Sequence, residues 1–463
     1  MTSTIRFDDS LPTFASLVER NWGGEALERN LFLRDVSGRL TFVCLDNRKT
    51  PAERSKLAAQ AEGQMGSYVD QGGFSVATPE ELLDDSLESV STALRLRIDH
   101  EIFRGSVYVV DRRLVGADWL RDPEPSAGPP ARFVFSSLKG GVGRSTALCV
   151  AAAHLAGRGR RVLSIDMDLE APGLGNLLLP DDTLPEFGLL DYLVELETGN
   201  PLEEEFFADM IGHSWLGGGR GRVDVIPAIG RRSLRYPMNV LGKLARSYFA
   251  GATTDGVSLS FSERMQKLVS KFANPLRYDA VLIDARAGLH ETTAAAVLSL
   301  GAEVLFFGQD QPQTYAGYEL LFAHLATLPK RSNDDWLDHL YIVNSKAAAN
   351  PAHRMRFTEQ MSALSAKYLT RPNIAPVLDV DPTSLRDVFD VDWSEDDSDH
   401  VDDLLDEDTI PVVTLMEDER FRIFDPISDR DILLEREYSE SFRELVTLTE
   451  TIVASFATLG ESK

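Results

Sequence analysis

Short runs of apolar residues alternate with longer segments of helical periodicity over most of the chain after residue 130. The apolar runs lie at residues 133–137, 161–165, 223–227, 277–284, 303–307, 339–343 and 410–415. Continuous apolar runs that alternate with helices are typical of buried parallel strands joined by helical crossovers. The pattern predicts an α/β fold, a doubly wound and mostly parallel sheet with helices on both faces.

Residues 1–120 have a weaker pattern that predicts a separate, small α/β domain. It contains a hairpin-like pair at 30–34 and 40–45, helical patterns at 51–64 and 79–96, and a short strand at 106–110. We find no nucleophile, metal cluster or nucleotide loop in it, so the sequence does not indicate the function of this domain. Residues 121–131 have the Pro and Gly content of a linker. The chain therefore divides into 1–120, 121–131 and 132–463.

Two segments near the C-terminus are distinctive. Residues 432–459 place apolar side chains on one helical stripe, which we expect to pack on the sheet as a helix. Its glutamates oppose binding to anionic lipid, so we do not expect membrane binding. Residues 387–408 are strongly acidic and predict a solvated insertion, with a docking site for a basic partner as the alternative.

Composition narrows the class of protein. The 463 residues carry a net charge of −26, which opposes DNA binding because that binding depends on Lys and Arg. The longest apolar runs are too short to cross a bilayer, and the N-terminus lacks an apolar signal region. The two cysteines, Cys44 and Cys149, lie in apolar surroundings without metal-ligand spacing. We expect a soluble protein of the cytoplasm.

A loop suited to phosphate follows the apolar run at 133–137. It reads Leu-Lys-Gly-Gly-Val-Gly-Arg-Ser-Thr over residues 138–146 and leads into a helical segment. Glycines let backbone N–H groups converge on an anion at a helix N-terminus, and Ser145 stands where a hydroxyl meets Mg²⁺. The alternative is a tight turn without a ligand. The residues expected to contact ATP are Gly140, Gly141, Val142, Gly143, Arg144, Ser145 and Thr146.

Three carboxylates follow neighbouring apolar runs. Asp166 and Asp168 come after the run at 161–165, and Asp284 ends the run at 277–284. Since the carboxyl ends of parallel strands meet at one edge of a sheet, we expect all three beside the phosphate loop. Asp284 is expected to hold Mg²⁺, and the Asp-x-Asp pair to serve the metal and an attacking water. His290 and Glu291 are expected to be helix caps or surface residues rather than acid/base groups.

The phosphate loop resembles the deviant Walker A motif of the MinD/ParA family of ATPases. In that family a signature Lys, here Lys139, precedes Gly-Gly-x-Gly and reaches the nucleotide of a partner subunit. Arg144 stands where the family has a second Lys that grips the phosphates. Because a planar guanidinium is not equivalent to a compact ammonium group, this departure bears more on the rate of hydrolysis than on binding.

The resemblance extends over about residues 132–457 and implies further roles. Asp168 is the candidate for orienting the attacking water, and Asp166 for the outer shell of the metal, alongside Asp284. Other positions that match nucleotide-contacting residues of the family are Gly288, Asn344, Glu417 and Asp418. The resemblance does not cover the N-terminal domain or the insertions, among which residues 215–222 and 231–259 are candidates for partner contacts.

The implied function is an ATP- and Mg²⁺-dependent switch. Two subunits would close around two nucleotides and reopen after slow hydrolysis, and a protein partner would contact the N-terminal domain or the insertions. A reductase of the same fold would need cluster cysteines that the sequence lacks, and no second catalytic constellation suggests a ligase. The remaining alternative is a weakly hydrolysing ATP sensor that gates an effector, as in stress or phage-defence signalling.

Overall fold

The computed structural model describes residues 5–46, 48–197, 202–217, 219–248, 251–252, 258–329, 336–369 and 410–461. These residues form two α/β units, each with its own sheet and hydrophobic core. The acidic insertion expected at 387–408 lies outside the described residues.

The N-terminal unit is built on a mixed five-stranded sheet with the order β3-β2-β1-β5-β4. The predicted hairpin is confirmed, since β1 and β2 pair antiparallel, and β5 joins the other side of β1 in parallel. The elements of this unit are α1 (Phe7–Trp22), α2 (Gly24–Arg29), β1 (Leu31–Arg34), β2 (Leu40–Val43), α3 (Pro51–Met65), β3 (Val76–Ala77), α4 (Pro79–Leu82), β4 (Leu94–Asp99) and β5 (Arg104–Asp111).

The prediction of a helix over residues 79–96 is wrong. Thr78 caps α4, but the helix stops after four residues because Leu83 adopts a left-handed conformation with φ of 53°. Residues 94–99 read Leu-Arg-Leu-Arg-Ile-Asp, and this alternation of apolar and charged side chains has the period of a strand. They form β4, which pairs antiparallel with β5. The N-terminal helix α1 was not predicted, although its apolar positions pack into the core of this unit.

The segment between the two units is docked on the second unit. Glu291 accepts hydrogen bonds from the backbone N–H groups of Gly116 and Asp118, the latter at 2.8 Å. Further along, the N–H of Glu124 donates to Leu298 O at 2.7 Å. The segment with the Pro and Gly content of a linker therefore lies along the second unit and is held there by backbone hydrogen bonds.

The second unit contains the predicted doubly wound sheet. Its strands are β6 (Ala131–Ser137), β7 (Arg161–Asp166), β8 (Gly212–His213), β9 (Arg222–Ile226), β12 (Ala280–Ala287), β13 (Glu303–Gly308), β14 (Leu340–Ala347) and β15 (Val412–Met416), with a separate small pair, β10 (Gly251–Ala252) and β11 (Ser258–Leu259). The main sheet has the order β15-β14-β13-β6-β12-β7-β9-β8. All neighbours pair in parallel except the short edge strand β8. The predicted fold class is confirmed.

Helices cover both faces of this sheet. They are α5 (Arg144–Gly157), α6 (Leu174–Leu178), α7 (Leu189–Glu197), α8 (Glu204–Ala208), α9 (Arg231–Arg235), α10 (Val240–Ser247), α11 (Phe261–Phe272), α12 (Glu291–Leu298), α13 (Pro312–Leu325), α14 (Pro351–Leu369), α15 (Glu435–Tyr438) and α16 (Arg443–Glu461). Neighbouring strand residues alternate between the two faces: Val134 packs in the core with α11 and α12, and Phe135 in the core with α5 and α16.

The C-terminal segment packs on the sheet as predicted, but it is not one helix. A 3₁₀ turn at Arg430–Leu433 and the short α15 precede α16. Leu445 and Val453 of α16 are buried in the core that includes α5. The segment closes the face of the sheet that carries the phosphate loop.

The strand order places the loop at a point where the chain changes direction. From β6 the chain passes through α5 to β7 on one side of the sheet, whereas β12 leads through α12 to β13 on the other side of β6. Diverging connections open a crevice at the carboxyl ends of the strands, and ligands of doubly wound sheets bind in that crevice.

Candidate nucleotide-binding site

The loop between β6 and α5 has the geometry of an anion cradle. Gly141 and Gly143 have φ of 76° and 93°, a left-handed backbone that side chains with a Cβ rarely adopt. Gly143 lies directly before the first residue of α5, so the loop leads into the positive end of a 14-residue helix. The hydroxyl of Ser137 donates to Lys139 O at 2.8 Å and fixes the start of the loop.

Ser145 and Asp284 come together as predicted for a metal site. The Ser145 hydroxyl donates to Asp284 Oδ2 at 2.5 Å. The other oxygen, Asp284 Oδ1, is buried and has no hydrogen-bond partner among the described residues. Burial raises the pKa of Asp284, and Arg144 and the Ser145 hydroxyl act against that rise. A buried carboxylate oxygen without a donor, beside a hydroxyl, suits Mg²⁺, which binds through one or two carboxylates and substrate phosphates.

Asp166 sits next to Asp284 in the sheet but has different partners. The two residues are directly paired across β7 and β12. Asp166 accepts backbone hydrogen bonds from Asp168, Gly173 and Leu174 at 2.9–3.0 Å. Burial and the charge of Asp284 raise its pKa. Its observed contacts organise the loop after β7, and the outer-shell role in metal binding stays a prediction.

Arg144 is buried among acceptors instead of facing solvent. Its side chain is 9% exposed, and its guanidinium donates to Ala285 O and to Asp168 Oδ2, the latter at 3.4 Å. Its Nε lies 4.0 Å from Asp284 Oδ1. The structure thus joins the predicted phosphate contact, Arg144, to the predicted water-orienting group, Asp168. The cation balances the carboxylates at the ends of β7 and β12.

Lys139, in contrast, is exposed at the outer side of the loop. Its Nζ donates to Gln311 Oε1 at 2.9 Å, and no carboxylate of the described residues forms a salt bridge with it. Lys139 is therefore an exposed cation beside the phosphate loop, and its role toward a partner subunit stays a prediction. Gly288, after β12, has φ of 95° and donates its N–H to Ser137 O at 2.9 Å, so this amide is engaged in the present structure.

A cavity of about 520 Å³ adjoins the phosphate loop on the side of α16. It is lined by Gly143 and Thr146 and by the segment after β15, which includes Glu417 and Asp418, and the contact of these two residues with a nucleotide stays a prediction. Asp418 is held by Arg420 and by the Ser441 hydroxyl, which lower its pKa to about 2. The volume, the mixed polar and apolar walls and the adjacent cradle suit a nucleoside.

Asn344 lies on the wall of a neighbouring cavity of about 330 Å³. Asn344 is buried within β14, three residues before the strand ends. Lys346 and Glu417 line both cavities and stand at the boundary between them. Asn344 is therefore close to the nucleoside cavity, and its contact with a base stays a prediction.

Lys346 contacts the phosphate loop although the sequence does not predict it as a site residue. Its Nζ donates to Gly141 O at 2.7 Å, so the end of β14 is tied to the phosphate loop. Lys346 is also one of two described residues other than glycine with a positive φ, at 50°. Such a conformation costs on the order of 1–3 kcal/mol and clusters at ligand sites. A Lys two residues after Asn344 is the only sequence signal that could have indicated it.

The loop after β7 contacts the carboxyl end of β12 and the end of α10. Arg286 pairs with Glu170 at 2.6 Å, and Tyr248, at the end of α10, donates to Glu170 at 3.2 Å. His290 caps α12 by accepting from the Thr292 N–H, as the sequence predicts for a cap. Burial lowers the pKa of His290. Glu170 thus links the loop after β7 to the carboxyl end of β12 and to the end of α10.

No family model matches the chain, and no curated protein matches its sequence. Solved structures similar to it include MinD from Aquifex aeolicus, with a TM-score of 0.41 and 15% identity over 70% of this chain and 97% of that chain. The pNOB8 ParA protein has a TM-score of 0.40 and 15% identity over 71% and 99%. A putative plasmid partition protein of Borrelia burgdorferi B31, bound to AMPPNP, has a TM-score of 0.36 and 15% identity over 71% and 99%.

These solved structures are MinD and partition proteins, the family that the loop motifs resemble. The strand order of the sheet, rather than these distant similarities, defines the fold. In the described part of the chain, no helix is long and apolar enough to cross a membrane.

Proposed function

We propose that this protein is a nucleotide-dependent switch that binds ATP with Mg²⁺, forms a homodimer in that state and hydrolyses ATP slowly. The observation that carries the proposal is the Ser145–Asp284 pair with its unpartnered, buried oxygen, set between a helix N-terminus and a nucleoside-sized cavity. A protein partner, rather than DNA or membrane, would read the state of the switch.

Each part of the site has a task in this proposal. Backbone N–H groups of the loop bind the phosphates, and Ser145 and Asp284 hold Mg²⁺, which neutralises phosphate charge when bound. Asp168 would orient the attacking water. The loops after β7 and β12 would rearrange around the γ-phosphate, and the Glu170–Arg286 pair would make them move together.

The position of Lys139 supports the proposed dimer. An exposed Lys at the open side of the loop, held only by Gln311, is available to the phosphates of a second subunit. Two such lysines related by a two-fold axis would each complete the other subunit's site.

Calorimetry of ATP binding tests the site. With Mg²⁺, Ser145→Ala and Asp284→Ala should each weaken ATP binding by about tenfold or more, because each removes a metal ligand. In EDTA the effect of Ser145→Ala should largely disappear. Matched controls on the N-terminal unit are Ser16→Ala and Asp99→Ala. If both site variants bind ATP with Mg²⁺ as tightly as the wild type, the site is wrongly assigned.

One observation favours a second candidate, an ATP sensor that hydrolyses little and gates an effector. The Arg144 guanidinium donates a hydrogen bond to the carboxylate of Asp168, the group expected to orient the attacking water. If that contact persists with ATP bound, the protein would bind nucleotide without efficient turnover. Phosphate release by purified protein at saturating ATP separates the two: a sensor binds ATP and dimerises with no turnover above the Asp168→Ala background.

A further inference from the structure

The insertion between β9 and β12 exposes an apolar surface with a basic rim. Leu234, Tyr236, Met238 and Leu241 lie within eight residues on α9, the following turn and α10, and they are 58%, 50%, 85% and 77% exposed. Arg232 and Arg246 flank them. These six residues are called the basic–apolar patch below. Single exposed apolar residues are ordinary, but a cluster with a charged rim marks an interaction site.

The patch is held firmly in place. Asp191 of α7 accepts hydrogen bonds from the Ser233 hydroxyl at 3.0 Å and from Lys243, so one buried carboxylate anchors both α9 and α10. The N–H groups of Arg231 and Arg232 donate to the carbonyls of Pro185 and Glu186 at 2.8 and 2.9 Å. The apolar side chains are therefore exposed on helices that buried hydrogen bonds hold in place.

The charge of the patch is opposite to that of the whole protein. From residue 225 to residue 254 the chain has five Lys and Arg residues and no Asp or Glu, whereas the net charge of the chain is −26. Among the described residues, no carboxylate forms a salt bridge with Arg232 or Arg246. Arg246 donates one N–H to Gly242 O at 2.8 Å, and Arg232 lies over the Phe187 ring, so neither guanidinium is engaged by a carboxylate of the described residues.

We infer that the basic–apolar patch docks a partner protein through an amphipathic helix that has an apolar face flanked by carboxylates. The apolar side chains would pack on the helix, and the arginines would bind its carboxylates in bidentate pairs. Tyr and Arg are the residue types that contribute most at such interfaces.

Charge argues for this occupant over three others. A second copy docked patch to patch would bring the same arginines face to face. A flat anionic membrane or a DNA duplex would extend beyond the patch and meet the acidic remainder of the surface, whereas a helix covers the patch alone. DNA would also leave Met238 and Leu241 without apolar contacts.

Docking at the patch does not depend on the proposed function. Only the interpretation of the docked protein as the partner of a nucleotide switch rests on it. Tyr248 at the end of α10 donates to Glu170, which pairs with Arg286. Through this contact, a rearrangement of the loops at the nucleotide would reach the helix that carries the patch. Docking itself needs no nucleotide, so it is tested on the nucleotide-free protein.

A phage-displayed library of helical peptides with randomised surface positions, selected on the full-length protein, identifies what the patch binds. Selection should enrich peptides with an apolar stripe flanked by Asp and Glu. Synthetic copies of these peptides are then titrated by fluorescence anisotropy. Binding should weaken at least tenfold for the double variant Met238→Ser with Leu241→Ser. It should weaken similarly for Arg232→Glu with Arg246→Glu, and this second loss should shrink at high salt.

Leu276→Ser with Leu320→Ser is the matched control, because both residues are similarly exposed elsewhere, and binding should not change. The inference is overturned if selection enriches no acidic amphipathic peptides, or if the patch variants bind them as the wild type does. It is also overturned if vesicles of equal phosphatidylglycerol and phosphatidylcholine, or duplex DNA, bind through the patch while the peptides do not. Normal peptide binding with no ATP binding would leave the docking inference intact and reject the proposed switch.

Discussion

Lys139 and Arg144 stand five residues apart in the phosphate loop, and their surroundings are opposite. Lys139 is exposed and bonded to one neutral amide, that of Gln311. The Arg144 side chain is 9% exposed and lies among Asp168, Asp284 and the Ala285 carbonyl. An exposed ammonium contributes little to folding and remains available to another molecule. A buried guanidinium among carboxylates is part of the folded structure itself.

The difference divides the loop into an outer and an inner end. At the outer end, the ammonium group of Lys139 is exposed and forms no salt bridge with a carboxylate of the described residues. At the inner end, the positive charge of Arg144 is already balanced within the protein. Arg144 compensates buried carboxylates that the strands β7 and β12 bring together. A nucleotide with Mg²⁺ would have to redistribute these contacts, so the inner end is where binding and stability are coupled.

The largest expected effect is on stability, from Arg144→Met. Removing the cation leaves Asp168 and Asp284 facing each other in a buried site, which should lower the free energy of unfolding by about 3–5 kcal/mol. Urea denaturation in EDTA at pH 7 should show a lower midpoint. Lys139→Met is the matched control and should change the free energy of unfolding by less than about 0.5 kcal/mol. Equal effects of the two substitutions would remove the distinction between the ends of the loop.

The next effect concerns catalysis, from Asp168→Ala. If Asp168 orients the attacking water, turnover should fall by about 10²–10³ while ATP still binds, and the protein should remain in the closed, ATP-bound dimer. Phosphate release under single-turnover conditions measures the rate, and Asp99→Ala on the N-terminal unit is the control. Rapid hydrolysis by the Asp168→Ala protein would show that the water is held elsewhere.

The sequence predicts the sheet well because its strands are buried on both faces. Continuous apolar runs such as the one ending at Asp284 have few competing interpretations when they alternate with helices. The N-terminal unit is harder to predict. Residues 79–96 have helix-compatible composition, but the left-handed turn at Leu83 ends the helix after four residues. The alternation at residues 94–99 is a local signal for a strand, and a helical interpretation of the whole segment overlooks it.

The site shows a different limit, which is set by contacts between segments that are far apart in the sequence. The motifs predict that Ser145 and Asp284 meet, because strand order places the ends of β6 and β12 side by side. The burial of Arg144 depends on Asp168 and on the carbonyl of Ala285, which belong to two other segments of the chain. The contact of Lys346 with Gly141 likewise joins β14 to a loop some 200 residues earlier. Contacts between distant segments are a property of the folded arrangement.

A smaller effect is expected at the outer end of the loop, from Lys139→Ala. If Lys139 contacts the partner subunit's nucleotide, ATP-dependent dimerisation should weaken by about tenfold or more, which is about 1.4 kcal/mol. ATP affinity of the monomer should change little, because the cradle and the Ser145–Asp284 pair remain. Light scattering over a range of protein concentrations measures the dimer, and calorimetry measures ATP binding. A dimer of unchanged stability would exclude this role for Lys139.

The smallest effect is expected from Arg144→Lys. This variant tests whether the inner end of the loop accepts the Lys that the MinD/ParA loop has at this position. Lys keeps the positive charge near Asp168 but cannot donate to both the carboxylate and the Ala285 carbonyl as the planar fork does. The ammonium group would be less firmly held and closer to a point charge suited to phosphate. We expect ATP binding to be preserved and turnover to be equal to that of the wild type or a few-fold faster, measured by steady-state phosphate release. Complete loss of binding and turnover in a folded Arg144→Lys protein would show that the guanidinium is required, and that the resemblance to the MinD/ParA loop does not extend to this residue.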